Sequence, residues 1–209
     1  MPTDLLDSRE IVVEKPVPLI NSLELQKLGT GLSSRAPITT ECTTFPQLST
    51  ALNEVRVAMA EMKTESKPID LVTSVGSCVA LCLYDSANRC GGLAHIMLPN
   101  SAIAPKDSLP AKFADTAVPA LAKAVRGISR REACLSAKIA GGANIFSNLS
   151  SNGSPIGVKN VEAVKAALTA NKIRLAAEDV GGSYGRRIAF KIKTGAAIIR
   201  FSNGEIKKL

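Results

Sequence analysis

The chain has one histidine, no tryptophan, and only five Phe and two Tyr in 209 residues. Each shortage excludes something. With a single His, a zinc site would need mostly thiolate or carboxylate ligands. The five cysteines (Cys42, Cys78, Cys82, Cys90 and Cys134) include no Cys-x-x-Cys pair, so no metal-ligand spacing is readable. The paired glycines Gly141-Gly142 and Gly181-Gly182 fit neither a dinucleotide fingerprint nor a phosphate-binding loop. The sequence therefore calls for no metal and no cofactor. Readers of single-stranded nucleic acid stack bases on exposed aromatics, and the scattered rings here argue against nucleic acid as a partner. No apolar run approaches the roughly 18–20 residues that span a bilayer. The opening stretch MPTDLLDSREIVVEKPVPL has early acidic residues and no apolar signal-like segment. The expectation is a cytoplasmic protein without membrane insertion, in a compartment where thiols stay reduced.

What is present is an aliphatic core and a basic body. Hydrophobic residues make up 45% of the chain, enough for a core of Val, Ile, Leu and Ala. The net charge of +8 is uneven. Residues 1–53 hold four Lys/Arg and six Asp/Glu, so the remainder carries +10. A body of that sign suits an acidic partner, and a protein is at least as good a candidate as a nucleic acid.

Residues 1–53 also differ in kind. They are rich in Pro, Ser and Thr and read as an irregular N-terminal extension, with one short helix around Asn21–Leu28. The domain proper is expected over 54–209. Val55, Val57 and Met59 alternate in VRVAMAEMK, which is a strand signal. Leu71–Thr73, Val79–Tyr84 and Gly91–Leu98 read as buried strands, with turns at Lys67–Asp70 and Asp85–Asn88. Phe113, Ala117, Leu121 and Val125 recur at helical spacing over 111–125, with Pro119 kinking the helix or lying near its first turn. Asn160 reads as the N-cap of a helix over Val161–Ala170. Further strands are expected at 137–140, 173–177, 188–192 and 196–201, the last two joined by a hairpin turn at Lys193–Gly195. Several strands with two helices predict an α/β or α+β sandwich.

A cysteine attacks as thiolate and needs a base or positive charge nearby. Cys78 follows Gly76-Ser77 at the start of an apolar run. Glycine there would allow tight backbone geometry. Backbone N–H groups around Gly76, Ser77 and Val79 would offer an oxyanion site. His95 lies in the next apolar run. The two meet only if their strands pair in register. By spacing alone the bland reading is stronger: a lone His in an apolar run is more often a hydrogen-bonded core residue, and a Cys after Gly-Ser is more often structural. Asp85, Asp115 and Asp179 are candidate orienting carboxylates, each more often a turn or cap residue.

Five ordered blocks change that balance: LVTSVGSCVALCLYDSANRCGGLAHIMLP (71–99), AKFADTAVPAL (111–121), AKIAGGANIF (137–146), IGVKNVEAVKAAL (156–168) and AEDVGGSYGRRIAF (177–190). Together they resemble the CheD family, the chemoreceptor glutamine deamidases. The resemblance covers about residues 55–203. It implies that Cys78 is the nucleophile, His95 its partner, and a Thr shortly before Gly-Ser-Cys the third member. Thr73 is the best match. Many members read TLGLGSC where this chain has TSVGSC, one residue shorter, so Ser74 is an alternative. The implied fold is a three-layer α/β/α sandwich with mixed and antiparallel strands, similar to the deamidating cytotoxic necrotising factor toxins. The implied reaction is hydrolysis of receptor glutamine amides to glutamate, in chemotaxis adaptation. The implied partners are methyl-accepting chemotaxis receptors, through their cytoplasmic helical bundle, and a CheC-type phosphatase. The alternative is a non-catalytic adaptor that binds such a phosphatase.

Overall fold

A computed structural model describes residues 53–102, 104–105, 108–130, 132–145 and 154–209. Residues 1–52, with the expected helix around 21–28 and Cys42, lie outside the described residues. Among the described residues, ten strands and two α-helices follow in the order β1 (Glu54–Arg56), β2 (Met62–Glu65), β3 (Asp70–Val75), β4 (Val79–Asp85), β5 (Cys90–Ile96), α1 (Ala114–Ile128), β6 (Leu135–Gly141), α2 (Ile156–Ala170), β7 (Arg174–Val180), β8 (Arg186–Lys191), β9 (Ala196–Phe201) and β10 (Ile206–Lys208). They build two five-stranded sheets, β1-β3-β8-β9-β10 and β2-β5-β4-β6-β7. The fold is mixed α/β and mostly strand. Pairing is antiparallel except for β1 with β3 and β6 with β7.

Strand alternation decides the layers. Val79, Leu81 and Leu83 of β4 point one way, and Ala80 and Cys82 the other, as period two requires. The first set joins Ala94 and Ile96 of β5, Ile139 of β6, and both helices in one apolar cluster. The second set joins Leu93 of β5, Leu71 and Val75 of β3, and Ile188 and Phe190 of β8 in another. The central sheet thus carries helices on one face and the second sheet on the other. Both faces are covered, so β4 and β5 read as continuous apolar runs rather than alternating ones.

α1 buries Ala114, Ala117, Val118, Leu121, Ala122 and Val125, a single stripe at helical spacing. Pro119 sits in its second turn, where its missing N–H leaves the Asp115 carbonyl without the usual helical partner. α2 starts five residues earlier than its sequence suggests, at Ile156, behind Pro155. Asn160 is therefore not a cap but the fifth residue of the helix. The expected single strand over VRVAMAEMK is divided between β1 and β2, which belong to different sheets. The chain turns between them through Ala60 at a φ of +59°, closed by a hydrogen bond from Glu61 N–H to the Ala58 carbonyl. Among the described residues no helix is long and apolar enough to cross a membrane.

Candidate active site

β4 and β5 pair with Ala80 opposite His95 and Val79 opposite Ile96. Cys78 lies just before β4, two residues from Ala80 and so on the same face. It is a diagonal neighbour of His95, a relation that places Cβ atoms within about 7–8 Å. The register left open by spacing is thus the one that brings the two together. Both look into the space between the sheets: Cys78 packs at the edge of the inter-sheet cluster, and His95 is buried there.

The opposite sheet supplies Thr73. Leu71, Thr73 and Val75 of β3 alternate inward, whereas Ser74 is exposed. Thr73 Oγ1 lies 2.8 Å from His95 Nδ1 and 2.8 Å from the Val57 carbonyl oxygen. A hydroxyl has one proton. It is donated to Val57, because a carbonyl only accepts, so the Thr73 oxygen accepts Nδ1–H from His95. That leaves the lone pair on Nε2, which is buried and has no hydrogen-bond partner among the described residues. The backbone of His95 is held as firmly. Its N–H donates to the Glu61 carbonyl, and its carbonyl accepts from Ala60 N–H. The Val57 carbonyl and the Ala60 turn carry no sequence motif. They reach Thr73 and His95, respectively, only because β1 and β2 divide where they do.

Burial lowers the pKa of His95 from its ordinary 6.5, because an imidazolium in this interior loses hydration. Burial likewise raises Cys78 from its ordinary 9.0, partly opposed by its own backbone N–H, which favours the thiolate. At neutral pH both groups are therefore neutral, a thiol and a free base on the same face of the sheet. Of the other described cysteines, Cys82 is fully buried with its thiol pushed up to about 12, Cys90 is buried with its sulfur 3.4 Å from Ser129 Oγ, and Cys134 is exposed. All four described cysteines are free thiols.

The Gly76-Ser77-Cys78 turn is held from β6 and beyond. Gly142 N–H donates to the Cys78 carbonyl and Ala143 N–H to the Gly76 carbonyl, both at 2.8 Å. The glycine this turn requires is Gly141 rather than Gly76. Gly141 has a φ of +127°, and a Cβ there would stand 2.2 Å from the Cys78 carbonyl oxygen. At Gly76 a Cβ would meet only the movable tip of Ile145. An open cleft of about 390 Å³ runs beside this turn, lined by Ser74, Gly76, Ile145, Arg187, Arg200 and Phe201 among others. Neither Cys78 nor His95 is among its lining residues.

The three candidate carboxylates are engaged elsewhere. Asp85 accepts from Ala87 N–H, Asn88 and Ser129 at the β4–β5 turn. Asp115 accepts from Ser101. Asp179 pairs with Arg186 and Lys207.

A cysteine thiol and an oriented imidazole on one face of a sheet, between two sheets, are the groups that thiol-dependent acyl transfer needs. Comparison with known proteins narrows it. A family model described as CheD chemotactic sensory transduction matches residues 97–201. Relatives match over more of the chain. The probable chemoreceptor glutamine deamidase CheD of Methanococcus maripaludis is 38% identical over 155 residues, 74% of this chain and 99% of that one. The protein of the same name from Moorella thermoacetica is 45% identical over 150 residues, 70% of this chain and 90% of its own. The chemoreceptor glutamine deamidase CheD of Halalkalibacterium halodurans is 44% identical over 149 residues, 70% of this chain and 92% of its own. The chain belongs to the CheD family. The family model begins just past His95, but a match over 155 of 209 residues extends across Thr73, Cys78 and His95 as well.

Proposed function

We propose that this protein is a chemoreceptor glutamine deamidase, with Cys78 as nucleophile, His95 as general base and acid, and Thr73 as the residue that orients His95. The observation that carries the reading is the Thr73 hydroxyl. By taking Nδ1–H and giving its own proton to Val57, it leaves Nε2 of His95 free on the face that Cys78 shares.

In this mechanism Nε2 accepts the thiol proton as Cys78 Sγ attacks the carboxamide carbon of a glutamine. The oxygen of the tetrahedral intermediate is held by backbone N–H groups of the Gly76–Val79 turn. The C–N bond breaks, and the imidazolium gives its proton to the leaving nitrogen, so ammonia departs and a thioester remains. Water then attacks the thioester carbon while Nε2 takes its proton. The proton passes to the departing sulfur, which restores the thiol and leaves a glutamate side chain. Each turnover adds one negative charge to the receptor's helical bundle.

The pH dependence follows from the working form of the imidazole. The base must be neutral, and burial makes protonation harder, so its half-titration lies below the ordinary 6.5. The acid limb of kcat/KM is expected below pH 6.5. No thiol titration is expected below pH 9, because burial raises Cys78. A pH profile of ammonia release from a receptor fragment checks both, and an acid limb above 6.5 contradicts this assignment.

The same reading places the protein in the cytoplasm, on the receptor's cytoplasmic bundle, with a CheC-type phosphatase as a second partner. It takes 54–209 as the deamidase domain and 1–53 as an extension. The relatives support that division, since 90–99% of their own length is matched by 150–155 residues here. It keeps the α/β/α sandwich as the full architecture, with the two stacked sheets together as its β layer. Support comes from the outer face of the β1-β3-β8-β9-β10 sheet, where Val72, Ala189 and Ile198 stand in register as an apolar row suited to a covering layer. The decisive test is mass spectrometry of a receptor cytoplasmic fragment with and without the protein. Gains of about one dalton at glutamines are expected, from the exchange of an amide for a carboxyl group. An unmodified fragment would leave the adaptor reading, which predicts phosphatase binding without ammonia release.

A further inference from the structure

Asn160 sits on the core-facing stripe of α2, with Gly157, Val161, Val164 and Leu168, and is fully buried. An amide among aliphatic neighbours weakens helix docking unless its polar atoms are paired. Only half of them are. Nδ2 donates to the Ser77 carbonyl at 3.0 Å and to the Met97 carbonyl at 2.9 Å, while Oδ1 has no partner among the described residues. A leucine or alanine would serve the packing better, so packing does not account for this residue.

The two carbonyls do. Ser77 precedes Cys78, and Met97 lies two residues after His95. Beyond the last paired residues of β4 and β5, Val79 and Ile96, the ladder ends. One amide group spans the two chains there and holds them at a set separation. The Ser77 carbonyl also belongs to the same planar trans peptide as Cys78 N–H, so the two point in opposite directions. A carbonyl drawn toward α2 turns that N–H away from α2. Cys78 packs on the inter-sheet side, the side of the central sheet away from the helices.

We propose that Asn160 is a positioning residue for the reaction. By holding the Ser77 and Met97 carbonyls, it aims Cys78 N–H at the reacting sulfur and the oxyanion, and keeps Cys78 and His95 in reach of each other. The inference rests on the deamidase reading of the site. The influence of Cys78 N–H on its own thiol is consistent with it. The role is distinct from the helix cap that the sequence suggests, and it acts through Cys78 rather than on substrate.

The test compares Asn160→Ala and Asn160→Asp with Val164→Ala, a truncation on the same buried stripe that touches neither carbonyl. The Asp variant keeps the shape and removes both donors. Two quantities are read in the full-length protein: deamidation of a receptor fragment, and the rate of iodoacetamide labelling of the Cys78 peptide against pH, followed by mass spectrometry. Both Asn160 variants are expected to lower kcat about 10- to 100-fold with KM nearly unchanged, a smaller loss than outright removal of an oxyanion donor. The Cys78 labelling profile should move to higher pH. Val164→Ala should lower thermal stability and leave both readouts in place. If Asn160→Ala does not fold, Asn160→Ser, which keeps one donor, replaces it and should fall between wild type and the Asp variant. An unshifted labelling profile with kcat loss no greater than that of Val164→Ala overturns the role of Asn160. Failure of the underlying reading looks different: Cys78→Ala would still release ammonia, while the labelling profile continues to report on Asn160.

Discussion

Cys78→Ala is expected to stop ammonia release from a receptor fragment, with a fall of roughly 10⁴- to 10⁶-fold, as when the nucleophile of a covalent mechanism is removed. No other described cysteine can take over. Cys82 is fully buried with its thiol pushed up to about 12, Cys90 is buried, and Cys134 is on the surface. Folding should survive, since Cys78 is only half-buried at the margin of the inter-sheet cluster. The check is an ammonia assay beside thermal melts of wild type and variant. Activity within tenfold of wild type, on the order of only 1.4 kcal/mol in the barrier, would show that the attacking group lies elsewhere.

The second large effect is at His95. A positioned acid–base group contributes roughly 10²- to 10⁴-fold, and His95→Ala should lose that amount in kcat. Thr73→Val should lose less. It keeps the shape and the imidazole but gives up control of the tautomer, so part of the population presents N–H rather than a lone pair to Cys78. It also leaves the Val57 carbonyl without its donor, at a stability cost of about 1–3 kcal/mol. Thr73→Ser should keep both hydrogen bonds and most of the activity. Steady-state kinetics on the three variants with melting temperatures alongside checks this order. Equal activity of Thr73→Val and wild type would remove Thr73 from the mechanism, and a fully active His95→Ala would remove the base.

Much of the centre is legible in the residues themselves. Gly-Ser-Cys at 76–78 and Gly-Leu-Ala-His at 92–95 carry family-like blocks, and the apolar runs around them read as buried strands. The helices are legible from the spacing of their buried residues, though α2 begins five residues early, directly after Pro155, so that Asn160 falls inside it rather than capping it. The layer order is less so. A strand covered on both faces has no alternation to show which side meets helices.

The sequence by itself determined the candidate pair Cys78 and His95, the mixed α/β class and the two amphipathic helices, because these depend on residue type, family-like blocks and local period. Tertiary structure alone decided the partners of that pair. Thr73 rather than Ser74 meets His95 because strand alternation turns Thr73 inward, whatever the length of the loop before Cys78. The Val57 carbonyl and Asn160 Nδ2 act at 16 and 83 residues' separation from their partners Thr73 and Ser77. Gly141 leaves room for the Cys78 carbonyl from the neighbouring strand. Backbone groups look alike in any sequence, and what they touch is set only when two sheets and a helix close around them.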